Sequence, residues 1–319
     1  MLCALHPLSG PCANVPRARP AVDWLRDAKY GIGVHYFPSA GSFQTLIDAF
    51  NAETFASHCE QAGAAYVIFT MGQNSGYYLA PNAVYDAFAG YTAGQRCSTR
   101  DLMLDVARAV KARGIRFLLY LPSRGPMDDA QALAGLGDVD DPYAAMSQTA
   151  CERWQAVIRE WAERYGTLLD GWWFDGCYPE VWPSWNNYEQ SYNFETWADA
   201  ARAGNPQRAL AFGVGVSSAW AIPCQFADFS GGEQNELTVL PQGSHYLPNR
   251  AQWNVYSWLG TTGWGSGDTP RYSDAELIQY IENVNSIDGI VTMDTSVSGG
   301  SIAATHLAQL SAIKAALRS

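Results

Sequence analysis

The chain has 319 residues, of which 48% are hydrophobic, and its formal net charge is −11. This length suits one barrel of alternating strands and helices. The shortage of Lys and Arg argues against nucleic acid and anionic membrane surfaces as partners, because both require basic patches. Aromatic residues make up 13% of the chain, which favours a small ligand, such as a carbohydrate, whose apolar faces stack on rings.

The seven cysteines are odd in number, scattered and without a C-x-x-C pair, so we predict neither a disulfide framework nor a zinc site. We expect no metal and no cofactor. The N-terminus lacks a basic start followed by a long apolar stretch, and no apolar run of about 18 residues exists to span a membrane. We therefore expect a cytoplasmic protein, although removal of a leader would leave secretion open. The oligomeric state, including a homo-oligomer, is also open.

The first half of the chain alternates helices and strands after an irregular, proline-rich arm at residues 1–20. Asn51 is expected to cap the second helix. The predicted helices are 22–29, 51–62, 98–114 and 142–165. The predicted strands are 30–36, 64–70, 115–121 and 168–175.

The second half repeats this rhythm less cleanly, with a helix start expected at Ser273. The predicted helices are 193–203, 273–284 and 306–317, and the predicted strands are 210–216, 226–231, 253–259 and 289–295. Eight strands alternating with helices predict an α/β protein with a (β/α)8 TIM-type barrel, as a single domain over residues 1–319. Strands 210–216 and 226–231 are weak, which allows a degenerate barrel.

Asp175 is the residue around which we interpret the chain. It ends a buried apolar strand, and catalytic groups of barrel enzymes lie at the carboxyl ends of such strands. Strand alternation places Asp175 and Trp173 on one face and Trp172 and Phe174 on the other. An Asp that only caps the turn to Gly176 would show the same dipeptide.

A second carboxylate is required to cleave a glycosidic bond, and Glu233, just beyond the predicted sixth strand, is our candidate. A solvated loop acid is the other interpretation, since Glu236 and Glu180 also lie near this rim. Polar and aromatic side chains of the rim are predicted to bind the sugar. They are His35, Gln73, Asn74, Tyr77, Tyr78, Tyr120, Trp173, Trp258 and Trp264. Asp268 and Asp294 share the rim and could equally cap turns.

From Trp24 almost to its end, the chain resembles the α-L-fucosidases of glycoside hydrolase family 29. The motifs that carry the resemblance are WLRDAKYGIGVHY, FNAETFASHCEQAGAAYVIFT, RDLMLDVARAVKARGIRFLLYLPS, GWWFDG, GWG and GIVTMDTSVSGGSI. The resemblance implies that Asp175 is the nucleophile of a retaining mechanism and that His35 is a sugar ligand. That family has a variable acid/base, so Glu233 depends on its placement in the chain.

Two departures from the family concern the substrate. Where the family has a Lys-His-His-Asp-Gly-Phe run after the second strand, this chain has TMGQNSGYY, so the sugar, its ring form or its linkage is expected to differ. The chain also ends where the family's β-sandwich would start. We predict a retaining, exo-acting glycoside hydrolase for an α-L-fucoside or a related glycoside. The alternative is a sugar-binding barrel that has lost its activity.

Overall fold

The computed structural model describes residues 22–38, 41–141, 143–216, 221–241, 243, 245–246 and 251–318. The predicted arm at residues 1–20 lies outside the described residues. The helices are α1 Trp24–Ala28, α2 Phe43–Ala49, α3 Ala52–Gln61, α4 Ala83–Ala89, α5 Leu102–Lys111, α6 Ala130–Leu136, α7 Gln148–Tyr165, α8 Trp182–Trp185, α9 Phe194–Ala201, α10 Asp274–Asn285 and α11 Ala304–Leu317. The strands are β1 Tyr30–Val34, β2 Tyr66–Thr70, β3 Arg116–Pro122, β4 Gly171–Asp175, β5 Ala209–Phe212, β6 His245–Tyr246, β7 Ala251–Gln252, β8 Asn254–Trp258, β9 Ile290–Thr295, β10 Val297–Ser298 and β11 Ser301–Ile302.

Local signals set several helix starts. The Asn51 side chain accepts a hydrogen bond from Thr54 N at 2.9 Å, which confirms the predicted cap of α3. Ser273 and Glu276 form a reciprocal capping box at the start of α10. Both helices therefore begin where a side chain replaces the missing intrahelical partner of a backbone N–H. The helices α2, α4, α6 and α8 lie in stretches for which the sequence predicts no helix.

Seven strands form one parallel sheet in the order β5-β4-β3-β2-β1-β9-β8. The register places Val34 beside Thr295, and Pro122 beside Asp175. The carboxyl ends of the strands therefore meet along one rim of a curled sheet. The short pairs β6–β7 and β10–β11 are antiparallel hairpins outside it.

Between the two edge strands, β5 and β8, lies an irregular stretch that we name the bridging segment, residues 228–234. Its backbone bonds both edges: Asp228 N donates to Leu210 O at 2.7 Å, Ser230 N to Gln252 O at 2.9 Å, and Gln234 N to Tyr256 O at 2.9 Å. The segment forms two isolated bridges, Phe229 with Gln252 and Glu233 with Tyr256, rather than a ladder. The predicted strand 226–231 is therefore not a regular strand, and the described residues form a seven-stranded curled sheet instead of eight paired strands.

The two faces of the sheet bury two different sets of side chains. Trp172 and Phe174 point outward, stacked 5.7 Å apart, into the large core shared with the helices. Trp173 and Tyr120 point inward into a smaller cluster enclosed by the sheet. Strand alternation, as predicted, thus separates the scaffold face of β4 from the face that carries Asp175.

Two glycines of β1 make room inside the sheet. A Cβ at Gly31 would come within 2.4 Å of the Tyr66 ring, and one at Gly33 within 2.5 Å of the Tyr256 ring. Tyrosines from β2 and β8 therefore fill the space that side chains on β1 would otherwise occupy. No described helix is both long and apolar enough to cross a membrane.

Candidate active site

Asp175 is the last residue of β4, and its carboxylate is held by a short chain of hydrogen bonds. The Tyr120 hydroxyl donates to Asp175 Oδ2 at 2.5 Å, and the Gln73 amide donates to the Tyr120 oxygen. Burial, and then the charge of Asp175, hold the pKa of Tyr120 well above its usual range. The tyrosine therefore stays protonated, and its hydrogen is available to the carboxylate.

The indole of Trp173 connects this strand to the bridging segment. It stacks on Tyr120 with ring centroids 5.2 Å apart and planes 14° apart. Its Nε1 donates to Gly231 O at 3.0 Å, two residues before Glu233. The indole that precedes Asp175 on the inner face thus also ties β4 to the segment that carries Glu233.

Glu233 sits near the end of the bridging segment, in an isolated bridge with Tyr256 of β8. Burial, and then the negative charge of Asp175, raise its pKa to about 7, although His35 acts in the opposite direction. A carboxylic acid with this pKa is partly protonated at neutral pH, as a general acid must be.

Buried side chains anchor the bridging segment from inside the sheet. The Asn254 amide donates to Gly231 O at 3.1 Å and to Ser230 O at 3.3 Å. The Thr292 hydroxyl donates to Asn254 Oδ1 at 2.9 Å and lies 2.7 Å from the Tyr66 hydroxyl. A polar chain across β2, β9 and β8 therefore positions the backbone that carries Glu233.

His35 follows β1 and is oriented by Asp294 at the end of β9. Its Nδ1 lies 2.8 Å from Asp294 Oδ1, and Asp294 Oδ2 accepts from the backbone N–H of Gly265. Burial lowers the pKa of His35, but the carboxylates of Asp294, Asp175 and Glu233 outweigh it, so the net pKa is raised. The imidazole is thus biased toward its charged form.

These groups surround one cavity of about 220 Å³. Its lining residues are His35, Phe37, Gln73, Tyr120, Trp173, Asp175, Glu233, Tyr256 and Trp264. All except Phe37 and Tyr256 were predicted as site residues from the sequence. The structure therefore brings both predicted catalytic acids into one aromatic-walled cavity.

The two residues missed from the sequence lie close to predicted ones. Phe37 follows His35 by two positions but lies beyond β1, which ends at Val34, and Tyr256 lies on β8, whose two faces are both buried. The buried hydroxyl of Tyr256 has no hydrogen-bond partner among the described residues. It is a donor that a ligand in the cavity could use.

Tyr78 was predicted to bind substrate, and this prediction was wrong. Its side chain is 0% exposed and packs against Tyr85 and Trp161, with ring centroids 4.9 Å and 5.2 Å away. The backbone of Tyr78 pairs with Arg96 and Ser98, which turns the ring toward the helices. It belongs to the outer core.

Asn74, Tyr77 and Trp258 also lie outside the cavity lining. Asn74 uses its backbone N–H to bond the Gln73 side chain at 3.1 Å. Tyr77 lies under the Arg96 guanidinium, 4.3 Å from its ring centroid. Trp258 packs behind Trp264 at 4.9 Å, so it supports the cavity wall without forming it.

The competing acids are placed differently from Glu233. The Glu236 side chain is 69% exposed and accepts from the Tyr272 hydroxyl at 3.1 Å, and Glu180 is exposed. Among the residues that the structure describes, no group of three His, Cys, Asp or Glu side chains could hold a metal ion. Burial raises the pKa of the Cys177 thiol well above its usual range, which makes it a poor nucleophile.

A curled parallel sheet with two carboxyl groups in an aromatic cavity at its carboxyl rim is typical of the glycoside hydrolase class. The sequence profile described as alpha-L-fucosidase matches residues 21–318. The chain therefore belongs to the alpha-L-fucosidase family of glycoside hydrolases, as the sequence motifs predicted. No curated protein sequence matches the chain.

Solved structures with the same fold have low sequence identity. The endo-fucoidan hydrolase P5AFcnA from glycoside hydrolase family 107 is 16% identical, with a TM-score of 0.67 and 92% of each chain covered. The endo-fucoidan hydrolase MfFcnA9 from the same family is 17% identical, with a TM-score of 0.68; 94% of this chain and 64% of that one are covered. An alpha-L-fucosidase of family 29 from Bacteroides thetaiotaomicron, trapped as a covalent intermediate with 2-fluoro-fucosyl fluoride, is 16% identical, with a TM-score of 0.65; 95% of this chain and 76% of that one are covered.

Proposed function

We propose that this chain is a retaining, exo-acting glycosidase that removes an α-L-fucosyl or closely related residue. Asp175 is the nucleophile and Glu233 is the acid/base. The observation that carries the proposal is the pair of acids in one cavity, in which Tyr120 donates to Asp175 while burial raises the pKa of Glu233 to about 7. Double displacement requires one carboxylate and one carboxylic acid.

In the first step, Asp175 attacks the anomeric carbon and the bond from that carbon to the glycosidic oxygen breaks. Glu233 donates its proton to this oxygen, so the leaving group departs neutral. The Tyr120 hydrogen bond keeps the attacking carboxylate oriented, and Trp173 fixes Tyr120 by stacking. The sugar is then an ester of Asp175.

In the second step, Glu233 is ionised and removes a proton from water, whose oxygen attacks the same carbon. The bond to Asp175 breaks, and the sugar leaves with its original anomeric configuration. Glu233 regains its proton, and both acids return to their starting states. A carboxyl group with a pKa near neutrality can act as both acid and base, because both of its protonation states are populated near neutral pH.

The remaining lining groups supply contacts for the sugar. His35, biased toward its charged form beside Asp294, donates to a hydroxyl. The Tyr256 hydroxyl, which has no partner among the described residues, is a second donor, and the Trp264 ring, 5.0 Å from the His35 ring, offers an apolar wall. Gln73 stands where the resemblance would place a histidine.

Exo action is supported by the small volume of the cavity, which suits one terminal sugar. The relative trapped as a covalent intermediate supports the retaining route. Endo action on a fucose polymer is the second candidate, because two similar structures are endo-fucoidan hydrolases. The size of the product released from such a polymer separates the two.

The test is turnover of a panel of aryl α- and β-glycosides and of α-L-fucosyl fluoride by the native protein and two variants. Asp175→Asn is expected to lose a factor of about 10³ or more on every substrate that the native protein cleaves. Glu236→Gln, which alters a nearby exposed acid, is the matched control and is expected to change little.

Three results would contradict the proposal. Retained activity in Asp175→Asn would show that Asp175 is not the nucleophile. An inverted anomer in the first product, seen by NMR, would replace the retaining route with an inverting one. Saturable sugar binding without any turnover would favour the sugar-binding barrel that has lost its activity.

A further inference from the structure

Two tyrosines outside the cavity lining form a pair on the same rim. Tyr178 comes three residues after Asp175, and its ring lies 5.3 Å from that of Tyr143, with the planes tilted by 39°. The Tyr143 side chain is 58% exposed. Neither residue has a part in the mechanism described so far.

Backbone contacts place the Tyr178 ring over the ends of β4 and β5. Gly176 has a φ of 75°, and the next backbone N–H, that of Cys177, donates to Gly213 O at 2.8 Å. A Cβ added at Gly215 would lie 3.1 Å from the Tyr178 ring. The ring therefore rests on the glycine backbone beyond β5, beside the nucleophile.

The loop that carries Tyr143 is fixed to the end of β3. Arg124, two residues after that strand, bonds Asp138 at 2.7 Å, and both side chains are almost fully buried. Arg124 also donates to the Ala144 carbonyl. This buried ion pair holds the backbone on both sides of Tyr143, so the exposed ring has a defined place.

Electrostatics agree with this position. Burial, and then the negative charges of Asp175 and Glu233, raise the pKa of Tyr178 to about 12. The ring is therefore within electrostatic range of both acids. In the proposed mechanism the glycosidic oxygen lies beside Glu233, so a group bonded to that oxygen has to lie near this ring.

We propose that Tyr143 and Tyr178 form the subsite for the leaving group, and that this leaving group is itself a sugar ring. An exposed aromatic ring on a fixed loop offers a flat apolar surface, and the C–H face of a sugar matches it. The inference rests on the proposed glycosidase function, and it names two residues by which the protein would distinguish substrates that differ in their leaving group.

The experiment compares two substrates that share the fucosyl ring. In α-L-fucosyl fluoride the leaving fluoride cannot occupy the pair, whereas an α-L-fucosyl-galactose disaccharide can. Tyr143→Ala is expected to lower kcat/KM for the disaccharide about tenfold and for the fluoride less than about twofold. Tyr143→Phe, which keeps the ring, is expected to restore the disaccharide rate.

Val139→Ala is the matched control, because Val139 is 54% exposed on the same loop and is expected to affect neither substrate. An equal loss with both substrates would mean that the loop only supports the cavity, and it would overturn the inference. Unchanged rates with both would also overturn it.

A binding measurement separates this inference from the proposed function. In the Asp175→Asn background, calorimetry is expected to give a disaccharide Kd about tenfold weaker with Tyr143→Ala than without it. That result supports the subsite even if the native protein hydrolyses nothing, which would contradict the proposed function alone. An unchanged Kd would overturn the subsite.

Discussion

The two acids of the cavity are held by opposite kinds of structure. Asp175 ends a regular strand with neighbours paired on both sides, whereas Glu233 sits on a bridging segment joined to the edges by isolated backbone bonds. The strand presents a carboxylate with a tyrosine donor, and the irregular segment presents an acid whose pKa is raised to about 7. In the proposed mechanism, a regularly paired strand therefore carries the nucleophile, and an irregular segment carries the group that changes its protonation.

The largest test of this comparison is Glu233→Gln. Proton donation by a positioned acid contributes about 10²- to 10⁴-fold, so we expect a loss of this size with the disaccharide, whose leaving oxygen requires a proton. With α-L-fucosyl fluoride the first step needs no such proton, and we expect a burst of fluoride of about one equivalent per protein. Rapid-quench measurement of fluoride checks this. If the burst and the disaccharide reaction slow equally, another residue is the general acid.

Tyr120→Phe tests the other half of the comparison. It removes the donor to Asp175 Oδ2 while leaving the stacked ring in place. Hydrogen bonds to charged groups contribute about 1.5 to 3 kcal/mol, so kcat/KM is expected to fall roughly 10- to 100-fold for both substrates. Tyr36→Phe, which removes a hydroxyl bonded to Leu46 O, is the control; a similar loss there would make the effect structural.

Asn254→Ala is expected to loosen the bridging segment without touching Asp175. The amide bonds two backbone carbonyls of that segment, and leaving them unpaired costs about 2 kcal/mol of unfolding free energy. We expect a lower urea midpoint, and a larger loss of kcat/KM for the disaccharide than for the fluoride. If both substrates slow equally, Asn254 supports the whole cavity rather than the acid.

The pH dependence of stability tests the Glu233 carboxyl without any substrate. Because the pKa of Glu233 is raised in the folded state to about 7, its ionisation destabilises the fold as pH rises from about 4.5 to 7. Glu233→Gln removes this penalty, so the variant is expected to gain up to about 3 kcal/mol at pH 8 and nothing near pH 4. Urea unfolding of both proteins at the two pH values checks this, and a gain that is equal at both would exclude Glu233 ionisation as its cause.

The sequence predicts the regular strand β4 well and the irregular bridging segment poorly. Alternation along GWWFD placed Trp173 and Asp175 together because a paired strand has a strict period of two. The bridging segment has no such period: its position depends on Asn254 and Ser230, which belong to no recognisable pattern. Glu233 was therefore proposed from its place in the chain, and the predicted sixth strand proved irregular.

Loops account for most of the other differences between the predicted and the observed cavity residues. In the stretch after β2, Gln73 enters the cavity while Tyr78 turns into the outer core, and the sequence shows only polar and aromatic residues at both. Tyr256 was missed because both faces of β8 are buried, so its apolar neighbours do not reveal which face lines a cavity. Main-chain pairing between distant segments determines which of these side chains enter the cavity.

The glycines of β1 have a consequence for how this cavity can change. A side chain at position 33 would need the space now taken by the Tyr256 ring, so the two positions share one volume although they lie far apart in the chain. A larger residue at one is compatible only with a smaller residue at the other. Redesign of the cavity therefore has to change these two positions, on β1 and β8, together.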